Sequence, residues 1–334
     1  MRALEELPDN TKNRLLPFIP LRPWVGAHRL QNTINRIEEA YGDRPIVVGV
    51  GEREEYQDRP VFNELESLRT PDNGFERWVN FIISHDNYIP VAQLNPSIED
   101  ETRQIQSLWN LNRGLVINLP APTFPAISAV AERVGSVTEH GVDTIFVLDF
   151  GIASPDHLLV AAQVQGYVQS IREHCNEAFV SVSASSFPSG FDNLTEQPIY
   201  ERRLFNQLVG HELEGLIYSD RGSARIERGR GGGGLPYPRI DYPLLTDWRF
   251  YRHHTQSGFA GYQAQATLLS RTDYWNPNIR VWGTQMIERT IAGDQSAISN
   301  PQKSTAARIN LHLQKQTFYD DPEAAEDTED DWED

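Results

Sequence analysis

Acidic and basic side chains stand directly after several short apolar runs, where a parallel sheet would gather them at one edge. The acids are Glu52, Asp149 and Asp220, and the arginines are Arg22 and Arg221. Carboxylate oxygens suit a hard cation such as Mg²⁺ or Mn²⁺, and a guanidinium group makes bidentate contacts with phosphate. With the three acids as catalytic groups, this set would serve a metal-dependent phosphoester hydrolase. In a structural alternative, the acids and arginines pair with one another as ion pairs.

The segment at 221–238 is rich in arginine and glycine. Its four arginines, offset by one acid and followed by four consecutive glycines, are Arg221, Arg225, Arg228 and Arg230. In barrels of alternating strands and helices, a phosphate site often lies after the seventh and eighth strands, and glycines let the backbone approach a ligand. We therefore predict an anion-binding site at the mouth of such a barrel. The alternative is a flexible insertion that binds nothing.

Two serines, Ser185 and Ser186, end another apolar run and are candidate ligand-binding residues, together with Arg22. The residues around them do not form the Gly-x-Ser-x-Gly turn of a nucleophilic serine. The sequence also contains no phosphate-binding P-loop and no zinc-ligand spacing. Nucleophilic catalysis is therefore disfavoured, and the identity of any metal stays open.

These residues must be positioned by the apolar runs that precede them. The runs are mostly continuous rather than alternating, which is typical of strands buried on both faces of a parallel sheet. Helix-like segments separate them, so the pattern predicts an α/β fold. Because no dinucleotide-binding glycine fingerprint follows the first strand, we favour a (β/α)8 TIM-type barrel over a doubly wound sheet. The predicted strands lie within 15–21, 45–51, 88–94, 114–120, 143–151, 177–188 and 215–220.

The eighth strand of this barrel is the least defined. The best candidate is the segment 240–254, "IDYPLLTDWRFYRHH". A missing strand would leave two exposed edges, which soluble proteins avoid. We therefore expect residues 242–252 to pair into the sheet, beside the strand at 15–21.

Several short motifs resemble those of the beta family proteins of tailed phages and bacterial prophages. They are "RALEELPDNTKNRLLPFIPL" near the start, "FVLDFG" at 146–151, "SSFPSG" at 185–190, "YSDRGS" at 218–223 and "STAARINLHLQKQ" at 304–316. The resemblance implies a TIM-type barrel and a phage-linked context. The biochemical activity of the family is poorly defined. Family members usually begin with a strand ahead of the first helix, whereas Met1 falls inside that helix here, so the first strand is expected to be atypical or missing.

Composition and charge limit the remaining possibilities. The chain has a formal net charge of −17, and ten of its acidic residues lie in the last fifteen positions. We predict one barrel domain over 1–316 and an acidic, disordered tail over 317–334, either a solubilising tail or a docking peptide for a basic partner. Cys175 is the single cysteine and no apolar run could span a membrane, so a cytoplasmic protein is expected.

Two functions from different classes fit these observations. The first is a binding or regulatory component in the conflict between phage and bacterial host, which acts on a protein partner or on a phosphate-bearing ligand. The second is the metal-dependent phosphoester hydrolase, with a nucleotide or nucleic acid as its substrate. Nucleic-acid binding is not indicated by the net charge of the body of the chain.

Overall fold

The computed structural model describes residues 1–95, 97–191, 193–210, 213, 215–223, 237–255, 257–326 and 328. Within them, the strands are β1 (Phe18–Leu21), β2 (Ile46–Val50), β3 (Tyr88–Pro90), β4 (Leu115–Pro120), β5 (Thr144–Ile152), β6 (Phe179–Ser185), β7 (Glu196–Pro198), β8 (Leu216–Asp220), β9 (Arg239–Pro243) and β10 (Asp247–Arg252). The helices of the first part are α1 (Arg2–Glu5), α2 (Asp9–Lys12), α3 (Leu30–Tyr41), α4 (Pro60–Leu68), α5 (Asp72–Ile83), α6 (Ile98–Trp109), α7 (Ile127–Val137), α8 (Ala161–Arg172) and α9 (Tyr200–Val209). Three more helices follow the last strand, α10 (Phe259–Leu269), α11 (Trp282–Ile291) and α12 (Pro301–Thr317).

Seven of these strands run parallel in nearly sequential order. One sheet has the order β1-β2-β3 and another has the order β4-β5-β6-β8. A parallel bridge between Val91 and Val116 links them, because the Ala92 N–H donates to the Val116 carbonyl at 2.9 Å. The predicted α/β class with a parallel sheet is therefore confirmed.

Both faces of this parallel sheet are buried, and they are buried differently. Helices α3 to α9 pack on the face that carries Val48 and Leu148. The opposite face carries Val47, Val91 and Val116, which pack against one another in a separate cluster. A Cβ on Gly49 of that face would lie 3.1 Å from the Val91 side chain, so the opposite face is crowded.

The predicted pairing of the eighth strand is wrong. Residues 239–243 and 247–252 form a β9–β10 hairpin, and β10 also pairs antiparallel with β7. The connection at 244–246 is too short for β9 and β10 to be parallel neighbours, because these need a crossover of a dozen or more residues. The two halves therefore pair with each other as a hairpin. Among the described residues no pairing joins this hairpin to β1, and none joins β8 to β1, so the parallel strands do not close into a barrel there.

Helix α12 packs against β9, α11 and α1. Asn310 is fully buried in it and donates to the Ala3 and Glu6 carbonyls at 3.1 and 3.2 Å. Nearby, the Thr11 hydroxyl donates to the Gln314 side-chain oxygen at 2.5 Å. Because Thr11 lies in α2, directly ahead of β1, α12 fastens the first helices of the chain to its last part.

The beginning of the acidic segment differs from the expected disordered tail. Phe318 and Ala325 are both buried. The Gln314 side chain donates to the Ala325 carbonyl at 3.0 Å, and Asn276 donates to the Glu326 carboxylate at 2.7 Å. These contacts hold the acidic stretch on the body of the protein as far as Glu326. Residues 327 and 329–334 lie outside the described residues.

No helix within the described part of the chain is long and apolar enough to cross a bilayer.

Candidate functional site

Asp149 and Arg221 meet across the end of β6, the strand that lies between β5 and β8 in the parallel sheet. Asp149 ends the buried part of β5, and Arg221 follows β8. An Arg221 guanidinium nitrogen forms an ion pair with Asp149 Oδ2, and Asp149 Oδ1 accepts a hydrogen bond from the Gly151 N–H at 3.0 Å. The Arg221 side chain remains about one-third exposed. Solvent, or a ligand, can therefore still reach the guanidinium group.

Arg22 and Glu52 form a second, looser pair at the ends of β1 and β2. Their closest nitrogen and oxygen are 3.7 Å apart, and the Glu52 side chain is almost wholly exposed. The described contacts include no hydrogen bond or ion pair between these two residues and the Asp149–Arg221 pair. We refer to the Asp149–Arg221 pair as the strand-end site.

Asp220 does not belong to the strand-end site, although it precedes Arg221. Successive side chains of a strand point to opposite faces, and Asp220 faces α12, where His312 Nε2 lies 2.7 Å from its Oδ2. The Tyr218 hydroxyl donates to the same oxygen at 2.6 Å. Burial alone would raise the pKa of Asp220, but the charge and hydrogen bond of His312, the Tyr218 hydroxyl and the Gly222 N–H bring it down to about 2.

The turn that carries Arg221 is held on both sides. Before it, Asp220 Oδ1 accepts the Gly222 N–H at 2.6 Å. After it, Ser223 has a positive φ of 60°, a left-handed conformation that costs energy in a residue with a side chain. Arg308 of α12 donates to the Ser223 hydroxyl and carbonyl at 3.1 and 3.2 Å. Buried groups therefore fix the backbone on either side of Arg221.

The two candidate serines are both buried and face different partners. The Ser185 hydroxyl accepts from the Phe187 N–H at 3.4 Å. Ser186 is directed towards Glu201 of α9, whose Oε1 accepts the Ser186 N–H at 3.2 Å. Burial, followed by the charge of Asp220, raises the pKa of Glu201 to about 7. Glu201 is thus a buried acid that changes charge near neutral pH.

Trp248 of β10 completes this region. Its ring stacks on His312, with the ring centroids 4.8 Å apart, and meets Phe187 edge-on at 5.2 Å. The indole N–H of Trp248 and the Nδ1 of His312 are buried and have no hydrogen-bond partner. A second polar region therefore lies beneath the strand-end site, on the α12 side of β8.

The predicted metal-binding set is not assembled. Within the described residues, no three histidine, cysteine or acidic side chains come close enough to hold a metal ion. Glu52 pairs with Arg22, Asp149 with Arg221 and Asp220 with His312. Three predicted ligand-binding arginines, Arg225, Arg228 and Arg230, lie outside the described residues.

Sequence reasoning missed the buried polar residues Glu201, Trp248, Arg308 and His312. Glu201 and Trp248 lie in segments that read as ordinary amphipathic helix and strand. Arg308 and His312 are spaced four residues apart, so they share one helix face. A helix that repeats polar residues on a face directed into the protein is the signal that could have identified them.

Sequence comparison relates this chain to a known family. The chain belongs to the Beta protein family, whose model matches residues 1–318. It is 26% identical over 325 residues to a protein named Protein beta of Enterobacteria phage P4, which covers 95% of this chain and 89% of the phage protein. No solved structure matches the chain.

Proposed function

We propose that this protein is a binding component in the conflict between phage and bacterial host, and that its strand-end site binds a phosphate-bearing ligand or partner. Arg221 is the observation that carries the proposal. Its guanidinium group is one-third exposed and, within the part of the chain that the structure describes, pairs with one carboxylate, that of Asp149. An arginine in this state can give further donors to an anion, with the planar geometry that phosphate favours.

The turn around Arg221 supports the proposal because it reduces the cost of binding. The neighbouring residues Asp220 and Ser223 are fastened to His312 and Arg308 of α12. A side chain that extends from a fixed backbone loses less conformational entropy when it binds than one on a free loop. The arginine-rich sequence that follows would add positive charge, and steer an anion toward the strand ends.

Similarity to a phage protein supports the biological part of the proposal. A protein of this kind would act inside the bacterial cell, through a protein partner or a phosphate-bearing molecule. The arrangement of strands also supports a TIM-type origin for the fold, with seven parallel strands in nearly sequential order and helices on their outer face. We propose that α12 occupies the side on which an eighth strand would close the barrel.

The metal-dependent hydrolase finds less support. A two-metal or one-metal phosphoesterase needs several oxygen ligands directed at one point. Glu52, Asp149 and Asp220 have three different partners instead, so we do not assign Mg²⁺ or Mn²⁺ to them. The strand-end site is better suited to holding an anion than to hydrolysing a phosphoester.

A thermal-shift screen at low ionic strength tests the proposal. Inorganic phosphate, nucleotides and short oligonucleotides are added to the wild type, to Arg221→Ala and to Arg271→Ala, an exposed arginine that lies after α10. A ligand that binds the native state raises the melting temperature by mass action, and screening by salt should diminish the rise. We expect the shift in the wild type and Arg271→Ala, and its loss in Arg221→Ala. If no compound shifts the wild type, or if all three proteins respond alike, the anion site is not at Arg221.

A further inference from the structure

Four buried side chains beneath β6 and β8 each carry a polar atom without a hydrogen-bond partner. These atoms are Ser186 Oγ, Glu201 Oε2, Trp248 Nε1 and His312 Nδ1, and each residue is at least nine-tenths buried. Buried polar groups are nearly always paired with protein or with ordered water. Four unpaired atoms in one region therefore require a common explanation.

The four residues are neighbours in one cluster. Ser186 contacts Glu201 through its N–H, and Glu201 is close enough to Asp220 to feel its charge. Asp220 pairs with His312, on which Trp248 stacks. Trp248 then meets Phe187, the residue after Ser186. The side chains that carry the unpaired atoms therefore belong to one connected region of the protein.

Their hydrogen-bonding capacities are complementary to water. The Trp248 indole can only donate. His312 Nδ1 donates when the ring is charged and accepts when only Nε2 carries a proton, and the Ser186 hydroxyl can do both. Glu201 Oε2 accepts when ionised and can donate when protonated. Water has two donors and two acceptor sites, and an internal water needs two to four polar partners of this mixed kind.

We propose that Ser186, Glu201, Trp248 and His312 enclose an internal water site, and that the water links the Glu201 carboxyl group to the Asp220–His312 pair. All four atoms are sealed from solvent, as the partners of an internal water are. Apart from these groups, the Tyr218 hydroxyl faces Asp220, and the Arg202 guanidinium lies over the Tyr218 ring. This inference does not depend on the anion site at Arg221.

A direct contact is the main competing arrangement. The Ser186 hydroxyl lies beside the Glu201 carboxylate and lowers its pKa, yet it forms no hydrogen bond of ordinary geometry. A small rotation could join the two groups without water. That rotation would leave Trp248 Nε1 and His312 Nδ1 unpaired, each of them a costly buried polar atom. The water site satisfies all four atoms, and the direct contact satisfies two.

A crystal structure of the full chain, at a resolution that orders internal waters, tests the proposal directly. We expect density for a water within hydrogen-bonding distance of at least one atom from Ser186 or Glu201 and one from Trp248 or His312. An empty volume, or a Ser186–Glu201 contact with no water beside Trp248 and His312, would overturn it.

Thermal unfolding of two conservative variants gives an independent result. Ser186→Ala removes one polar atom and keeps the packing, so it should lower the melting temperature if the hydroxyl binds water. Trp248→Phe should lower it too, but part of that loss comes from the smaller buried ring, so Ser186→Ala decides. Thr284→Val is the matched control, since the Thr284 hydroxyl is also buried without a partner but lies in α11. In the control, removing an unpaired polar atom should be neutral or stabilising. If Ser186→Ala unfolds no earlier than the wild type, as is expected of the control, the water site is wrong.

Discussion

Asp220 and Arg221 are consecutive residues whose side chains serve opposite faces of the sheet. Asp220 pairs with His312 on the α12 side, and Arg221 reaches across the strand ends to Asp149. The sequence motif "SDRG" places both at the end of a strand, but the alternation of side chains separates their roles. One residue positions the turn, and the next is available to a ligand.

Leu148 and Asp149 provide a prediction about structural and functional residues in one strand. Leu148 is fully buried in the core, so Leu148→Ala should lower the unfolding free energy by roughly 2–5 kcal/mol. Asp149→Ala should cost clearly less, because its side chain lies at the strand end and pairs with a partly exposed arginine. Urea unfolding of both variants checks this. Equal losses would mean that Asp149 is chiefly structural.

Glu201 predicts a specific dependence of stability on pH. Its pKa is raised from 4.5 to about 7 in the folded protein, so the folded state binds the proton more tightly than the unfolded state. The stability from this group is therefore complete below pH 4.5 and is lost as the pH rises through about 7. Glu201→Gln cannot ionise and should lack this loss. Relative to that variant, the wild type should lose about 3 kcal/mol between pH 4.5 and about pH 8. Parallel pH profiles for the two proteins would contradict the assignment.

At the scale of elements, α12 is unusual because its buried residues are mostly polar. Asn310 is the clearest case: it accepts the Gly283 N–H at 2.8 Å and donates to two carbonyls of the first turns of the chain. Replacing it leaves these buried groups unpaired. Asn310→Ala should therefore lower the unfolding free energy by about 3 kcal/mol. Gln302→Ala, at an exposed position of the same helix, is the control, and a comparable loss there would show that the effect is general to the helix.

Elements with a strong repeating pattern were predictable, and those set by a turn were not. The stripe of Leu30, Ile34, Ile37 and Tyr41 predicts α3, whose buried residues include all four. The pattern at 240–254 indicates one strand, whereas in the structure a tight turn separates Pro243 from Asp247 inside this segment. Its two halves bury aromatic residues in two different clusters, Tyr242 against Trp275 and Trp248 against Phe187, which single-strand periodicity does not reveal.

The candidate site was predictable only to the level of strand ends. The parallel order of strands brings Asp149 and Arg221 together, and that pairing follows from the pattern of apolar runs. Glu201, His312 and Arg308 could not be recognised, because their roles depend on how α9 and α12 pack on β8. The contacts of Arg308 and His312 join residues 85 and 92 positions apart, and local sequence carries little information about them.

At the scale of the whole molecule, the acidic end of the chain has two parts with different expected behaviour. Truncation after Glu326 removes eight residues, six of them acidic, and it should leave the melting temperature nearly unchanged. Truncation after Thr317 also removes the buried Phe318 and Ala325, so it should lower the melting temperature by several degrees. Thermal unfolding of both truncated chains measures this. Equal melting temperatures would show that the contacts of Phe318 and Ala325 contribute nothing.

Calorimetric titration with inorganic pyrophosphate at low ionic strength tests anion binding at Arg221 most directly. We predict one saturable site in the wild type, weakened by added salt. Loss of a charged, bidentate contact should weaken binding roughly 10- to 100-fold in Arg221→Ala, with partial retention in Arg221→Lys, which keeps the charge and loses the planar fork. Arg271→Ala should bind like the wild type. Equal affinity in Arg221→Ala and the wild type, or no binding to the wild type, would contradict the claim that Arg221 is the anion-binding residue.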